Sequence, residues 1–214
     1  MSFVVPEGIE AYAEAHTTPV DAALADVAAQ TQAALGAKAG MLVGALEGRF
    51  LEFLVFSLQP KLIVEVGTFT GYSALSMANA LPAGGRIITC EIDTEHAEIA
   101  KRNIAALGRD DVIEVRVGPA GDTLASIDGP VDFAFIDADK TGYAAYYEAL
   151  LPKLAPHGVI AVDNTLWSGR VVDDVATDPD TVALRAFNEA VVADDRVVCA
   201  MLSIRDGVTL IRRR

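Results

Sequence analysis

Asp137, Asp139 and Lys140 crowd the end of an otherwise apolar run, "VDFAFIDADK" over 131–140, and a second run, "GVIAVDN" over 158–164, ends in Asp163 and Asn164. Asp137, Asp163 and Asn164 offer two carboxylates and an amide oxygen, with no thiolate or imidazole. Such hard donors suit Mg2+, Mn2+ or Ca2+ better than zinc. Three protein ligands leave room for water and for a substrate that binds through two oxygens. Taken singly, each Asp is as well explained as a helix N-cap. Lys140 gains its meaning from this neighbourhood. A nearby cation disfavours the ammonium form, which makes Lys140 a candidate base for a phenolic proton, while the metal polarises the phenol oxygen.

A third stretch, "VEVGTFTGYS" over 64–73, places Gly67 and Gly71 in a strand-to-helix turn. Phe69 breaks G-x-G-x-x-G, and no G-K-[ST] follows, so neither pyrophosphate signature is present. A glycine turn without them suits a nucleoside cofactor that carries no phosphates; a tight turn needing positive φ is the plain alternative. "RIITCEID" ends in Glu91, 20 residues after Gly71. An acidic side chain at about that distance can accept both hydroxyls of a ribose; a solvated carboxylate beside Asp93 is the rival reading. Turn and carboxylate together point to S-adenosylmethionine.

These residues need a scaffold that brings strand ends together. The runs "KLIVEVG", "GRIITCEID", "DVIEVRVG", "VDFAFIDAD" and "HGVIAVDN" are each followed by a helix-like segment, beginning near Tyr72, Thr94, Ala120, Tyr143 and Asp180. Short apolar strands alternating with helices predict an α/β fold, a mostly parallel sheet covered on both faces. "RVVCAMLSI" and "GVTLIRR" are joined only through "RDG", which predicts a C-terminal antiparallel hairpin and seven strands in all. The first 60 residues read as helices around 8–16, 19–36 and 41–58, ahead of a core over 61–214; one domain over 1–214 is expected.

Apolar residues make up 52% of the 214, yet no run reaches the roughly 18 uncharged apolar residues of a membrane helix. Leu42–Leu58 carries Glu47, Arg49 and Glu52 and reads as an amphipathic core helix. "MSFVVPEGIE" has no basic or apolar signal regions, so a cytoplasmic location is expected. A net charge of −13 disfavours nucleic acid, and the terminal "RRR" reads as a solvated end. Cys90 and Cys199 form no C-x-x-C and read as buried, inert thiols.

Taken together, "VEVGTFTGYS", "CEID", "FIDADKTGY" and "VIAVDNTLWSG" resemble the cation-dependent O-methyltransferases of the catechol and caffeoyl-CoA type, nearer the caffeoyl-CoA and bacterial branch. The resemblance runs from "MLVGALEGRFL" at Met41 to the terminal "DGVTLIRR". It implies a Rossmann-like class I methyltransferase fold, a homodimer, S-adenosylmethionine and a divalent cation. Carried onto this chain, it puts Asp137, Asp163 and Asn164 on the metal, Lys140 as base and Glu91 on the ribose. Gly67, Ser73 and Asp137 would lie by the methionine end, with Met41 and Val43 lining the cofactor. Gly118, Ala120 and Ala138 would flank the adenine, and Glu65 and Asp139 would lie near the cofactor.

The acceptor implied is a vicinal dihydroxy aromatic. Trp167 could stack on its ring or simply pack, and Arg170 could meet an acidic acceptor or be an exposed charge. The chain departs from the family pattern at Leu42 (for asparagine), Ser168 (for the asparagine of plant members) and Arg205 (for a small residue). Ser168 weakens transfer of a hydroxycinnamoyl-CoA substrate. Rival classes fit less of the chain. A nicotinamide oxidoreductase needs the absent G-x-G-x-x-G. A metal-dependent hydrolase needs neither the glycine turn nor Glu91. A non-catalytic cofactor-binding protein needs no metal and base. G-x-S-x-G is missing, and His16, His96 and His157 lack metal-ligand spacing.

Overall fold

The computed structural model describes residues 4–214. Residues 1–3, part of the stretch weighed for a signal segment, lie outside the described residues. Seven strands, β1 Leu62–Val66, β2 Arg86–Glu91, β3 Ile113–Val117, β4 Val131–Ile136, β5 Leu154–Val162, β6 Val197–Leu202 and β7 Val208–Arg213, form one sheet in the order β3-β2-β1-β4-β5-β7-β6. β1 to β5 pair in parallel, and β7 runs antiparallel to both β5 and β6. The last strand therefore inserts beside β5 and leaves β6 at the edge.

Helices α1 Glu7–Ala15, α2 Ala22–Leu35, α3 Gly44–Leu58, α4 Tyr72–Ala78 and α5 Thr94–Ala106 precede α6 Ala120–Ser126, α7 Tyr143–Leu150 and α8 Pro179–Ala193. Leu51 and Val55 of α3, Leu75 of α4 and Ile104 of α5 fill one side of the sheet. Leu124 of α6, Tyr147 of α7 and Phe187 of α8 fill the other. With both faces covered, every residue of β1 is buried, the charged Glu65 included, which explains why its sequence does not alternate. Each fully buried Leu or Phe contributes about 1.5–3 kcal/mol.

Side-chain caps set the helix starts. Asp93 accepts from Glu95 and His96 N–H ahead of α5. Asp178 accepts from Thr181 N–H ahead of α8.

The expected alternation of strand and helix is present, with differences of detail. The helix expected over 41–58 is split: a tight 3-10 turn covers Gly36–Met41 and α3 starts only at Gly44. Gly44 takes φ +75, a left-handed conformation that glycine adopts readily, and a Cβ there would run into the Arg205 guanidinium. Cys90 is buried as expected, but Cys199 is only half-buried, because β6 is the edge strand. Among the described residues no helix is long and apolar enough to cross a membrane.

β1 lies between β2 and β4, so the chain winds outward to β3 and then returns to the other side of β1. That reversal opens a crevice beyond the carboxyl ends of the strands, where ligands of such sheets bind.

Candidate active site

A cavity of about 1050 Å3 occupies this crevice. Gly67, Glu91, Gly118, Asp137 and Asp163, which follow or end β1 to β5 in turn, all line it. The parallel sheet alone brings these distant positions together.

On the β1–β3 side the wall is built from small residues and backbone. Gly67 has φ +104, and a Cβ there would lie 2.0 Å from the Asp137 carbonyl oxygen, so only glycine lets the β1 turn close against the end of β4. Glu91 is fixed by two backbone donors, Phe69 N–H at 2.7 Å and Asp93 N–H at 2.9 Å. Gly118 has φ +132, and a Cβ there would meet nothing within 4 Å. With Ala120 and Ala138 it leaves an open slot. Met41, Val43 and Ser73 also line the cavity.

Glu65 does not line it. Its carboxyl is fully buried beneath the floor and accepts a hydrogen bond from Thr89. Burial pushes its pKa up to about 8, against the downward pull of the Ser73 and Thr89 hydroxyls.

The β4–β5 side carries the charges. Lys140 is 8% exposed, and its Nζ lies 3.1 Å from Asp137 Oδ1. The same Nζ donates to Tyr143 Oη at 2.6 Å, and Tyr143 Oη donates to the Asp163 carbonyl at 3.1 Å. The amine thus stands paired with a carboxylate in this arrangement. Its Nζ also lies 5.6 Å from the centre of the Trp167 ring, close enough for a cation–π contact. Trp167 lines the cavity and packs on the core.

Asn164 takes φ +55, a left-handed conformation asparagine tolerates better than most residues, and its N–H donates to Asp163 Oδ1 at 2.6 Å. Asp139 lines the cavity and accepts from Tyr146 Oη at 2.6 Å. Arg170 is half-exposed and pairs with Asp178. It borders a smaller space of about 420 Å3 that shares Trp167 and Ser168 with the main cavity.

Two residues without a role in the sequence reading complete this side. Tyr143 is one turn after Lys140, fully buried, and orients the amine. Glu47 of α3 lines the cavity, is 1% exposed and contacts Arg205. Burial, then the charges of Asp163 and Asp137, hold its pKa well above the usual carboxylate range. The "GALEGRFLEFL" pattern gives no sign of a buried acid; only the packing reveals it.

The donor set fits a hard cation. Burial, and next the neighbouring charge of Asp137, raise the pKa of Asp163 to about 7 against the downward pull of Lys140. Among the described residues no three of His, Cys, Asp or Glu stand as a metal-holding group; the set on offer is two carboxylates and the Asn164 amide. A phosphate-free nucleoside fits the other side, where the Gly118 slot is open and Glu91 carries a carboxylate fixed by two backbone donors.

A family model described as O-methyltransferase matches residues 14–214, and the chain belongs to that family. It is 40% identical over 190 residues to caffeoyl-CoA O-methyltransferase 2 of Zea mays, covering 81% of this chain and 70% of that protein. It is 38% identical over 186 residues to the catechol O-methyltransferase of Niastella koreensis, covering 81% and 84%. The solved O-methyltransferase from Bacillus cereus in complex with SAH matches the structure with a TM-score of 0.88 at 35% identity, over 97% of each chain. The sheet and its helices are those of a Rossmann-like methyltransferase.

Proposed function

We propose that the chain transfers a methyl group from S-adenosylmethionine to one oxygen of a vicinal dihydroxy aromatic, with a divalent cation, Mg2+ first among Mg2+, Mn2+ and Ca2+. The observation that carries this reading is a single cavity shared by Glu91 and the glycine wall at one end and by Asp137, Asp163, Asn164 and Lys140 at the other.

When bound, the cofactor supplies an electrophilic methyl group on sulfur; Gly67, Ser73, Glu91, Gly118 and Ala120 would hold it, with Met41 and Val43 against it. A divalent cation held by Asp137, Asp163 and Asn164 would supply Lewis-acid polarisation of the phenol oxygen. The chain's own part is alignment and proton transfer. Trp167 offers an aromatic face for the acceptor ring. Lys140 Nζ takes the phenolic proton as the new O–CH3 bond forms and the S–CH3 bond breaks. Tyr143 Oη keeps the amine aimed meanwhile.

The wider reading is a cytoplasmic enzyme of one domain over 1–214, working as a homodimer without nucleic acid. Phe53 and Phe56 on the outer face of α3, 63% and 65% exposed, support a second copy there. A hydrolase using the same carboxylates would leave the Glu91 end of the cavity without a task. Incubation with S-adenosylmethionine and a panel of catechols, read by mass spectrometry, tests the reading. One added methyl per acceptor is expected; recovery of every catechol unmethylated with the cofactor intact would contradict it.

A further inference from the structure

Each oxygen of the Glu91 carboxyl is held by a different turn. Phe69 N–H, between β1 and α4, donates to Oε2 at 2.7 Å, and Asp93 N–H, between β2 and α5, donates to Oε1 at 2.9 Å. A carboxylate has about four lone-pair sites, so each oxygen can still accept from a hydroxyl. The Phe69 N–H is aimed by an unusual backbone: φ is +49, a left-handed conformation that is exceptional for a bulky side chain. Among the described residues, its half-buried ring joins neither face of the core. The ring that meets it is His96 of α5, edge-on, with centroids 4.9 Å apart and planes at 82°. His96 is buried on the cavity wall beside Phe69, Glu91 and Asp93, and its own N–H donates to Asp93 Oδ1 at 3.2 Å. The contacts close a circuit from Glu91 to Phe69, to His96, to Asp93 and back to Glu91.

Docking α5 does not require that circuit. Asn103 Nδ2 donates to the Thr70 carbonyl at 2.9 Å, and a Cβ on Gly71 would stand 3.5 Å from Ala100, so the helix is fixed to the same turn further along its length. We propose that His96 is a positioning residue for the cofactor's ribose: its ring holds Phe69 in the left-handed conformation that aims the Phe69 N–H at Glu91, and so sets how well that carboxylate accepts the ribose hydroxyls. The proposal rests on the reading that Glu91 holds the ribose. Without the edge-on partner, Phe69 relaxes toward the negative φ that its side chain favours. Its N–H then swings off Oε2, and the carboxyl keeps only the Asp93 donor.

The test is calorimetric binding of SAH and of its deoxyribose analogue, which lacks one of the two hydroxyls. The wild-type protein is expected to prefer SAH by about 10–100-fold, the usual worth of a hydrogen bond to a charged group. His96→Ala should weaken SAH by about 3–10-fold, the usual worth of an aromatic pair, and leave the analogue within about 1.5-fold, so that the preference narrows. His96→Phe, which keeps the edge-on ring and loses both nitrogens, should restore most of the preference. Phe69→Leu removes the other ring of the pair and should narrow the preference to a similar extent, with no further loss when it is combined with His96→Ala. An unchanged preference in His96→Ala, equal weakening of both ligands, or additive losses in the double variant would overturn the proposal. A wild-type protein that binds both ligands equally would instead overturn the ribose reading beneath it, and this proposal with it.

Discussion

Lys140 is the residue on which the proposed chemistry turns, and its surroundings say how to test it. Nζ is buried between Asp137 and Tyr143, far from the Glu91 end of the cavity. Lys140→Ala should therefore lower kcat with a catechol by about 10²–10⁴-fold, the usual worth of a positioned base, while SAH affinity measured by calorimetry persists. Unchanged turnover would remove Lys140 from the mechanism. Glu65 makes a prediction about stability. Its pKa is raised from the ordinary carboxylate value of 4.5 to about 8 by burial. The folded protein thus keeps this proton where the unfolded chain loses it, so the contribution is full below about pH 4.5 and disappears as pH rises through about 8. Glu65→Gln keeps a neutral side chain throughout. Its Tm relative to wild type should climb steadily from pH 5 to pH 8; a pH-independent difference would mean that Glu65 does not titrate in this range. At this scale the sequence reveals what stands at strand ends. Asp137, Asp163, Asn164 and Glu91 interrupt apolar runs and are conspicuous. Glu47 sits inside an amphipathic helix, where a carboxylate ordinarily faces water, and Tyr143 reads as one more aromatic core residue. Glu65 sits inside a strand, where a charge carries no sign of which way it faces.

Between residue and molecule, the β1–α4 turn is the element that most constrains the site. A side chain at Gly67 meets the Asp137 carbonyl at 2.0 Å on a backbone with φ +104. Gly67→Ala should cost about 2–5 kcal/mol from the unfavourable φ and the overpacking combined, lowering Tm by about 2–4 °C per kcal/mol. Gly121 in α6 has nothing within 4 Å of its Cβ position, so Gly121→Ala should be neutral or mildly stabilising in the same melt. Equal losses in both variants would contradict the close approach of β1 to β4. Most element starts were readable, because Asp93 and Asp178 announce their helices as caps and periodicity changes at each strand end. The placement of β7 was less so. The short connection over 203–207 dictates a hairpin with β6, but nothing in either strand says which of the two will pair with β5. The break before α3 was hidden for a different reason: Leu42 and Val43 continue the apolar pattern up to Gly44, which takes φ +75.

At the scale of the molecule, one sheet reversal creates one crevice, and the proposed function is the joint use of its two ends. The strongly acidic chain, with a net charge of −13, concentrates Asp137, Asp163 and Glu47 at the end of that crevice where Lys140 and Arg205 are the nearby cations. Such a surplus is the strongest argument from this structure for a bound metal. The central claim is therefore tested by methyl transfer from S-adenosylmethionine to a simple catechol with Mg2+, then with EDTA, then with Mg2+ restored. Mono-methylated product that vanishes with EDTA and returns with the metal is the predicted result. Product formation that continues undiminished in EDTA would contradict the account.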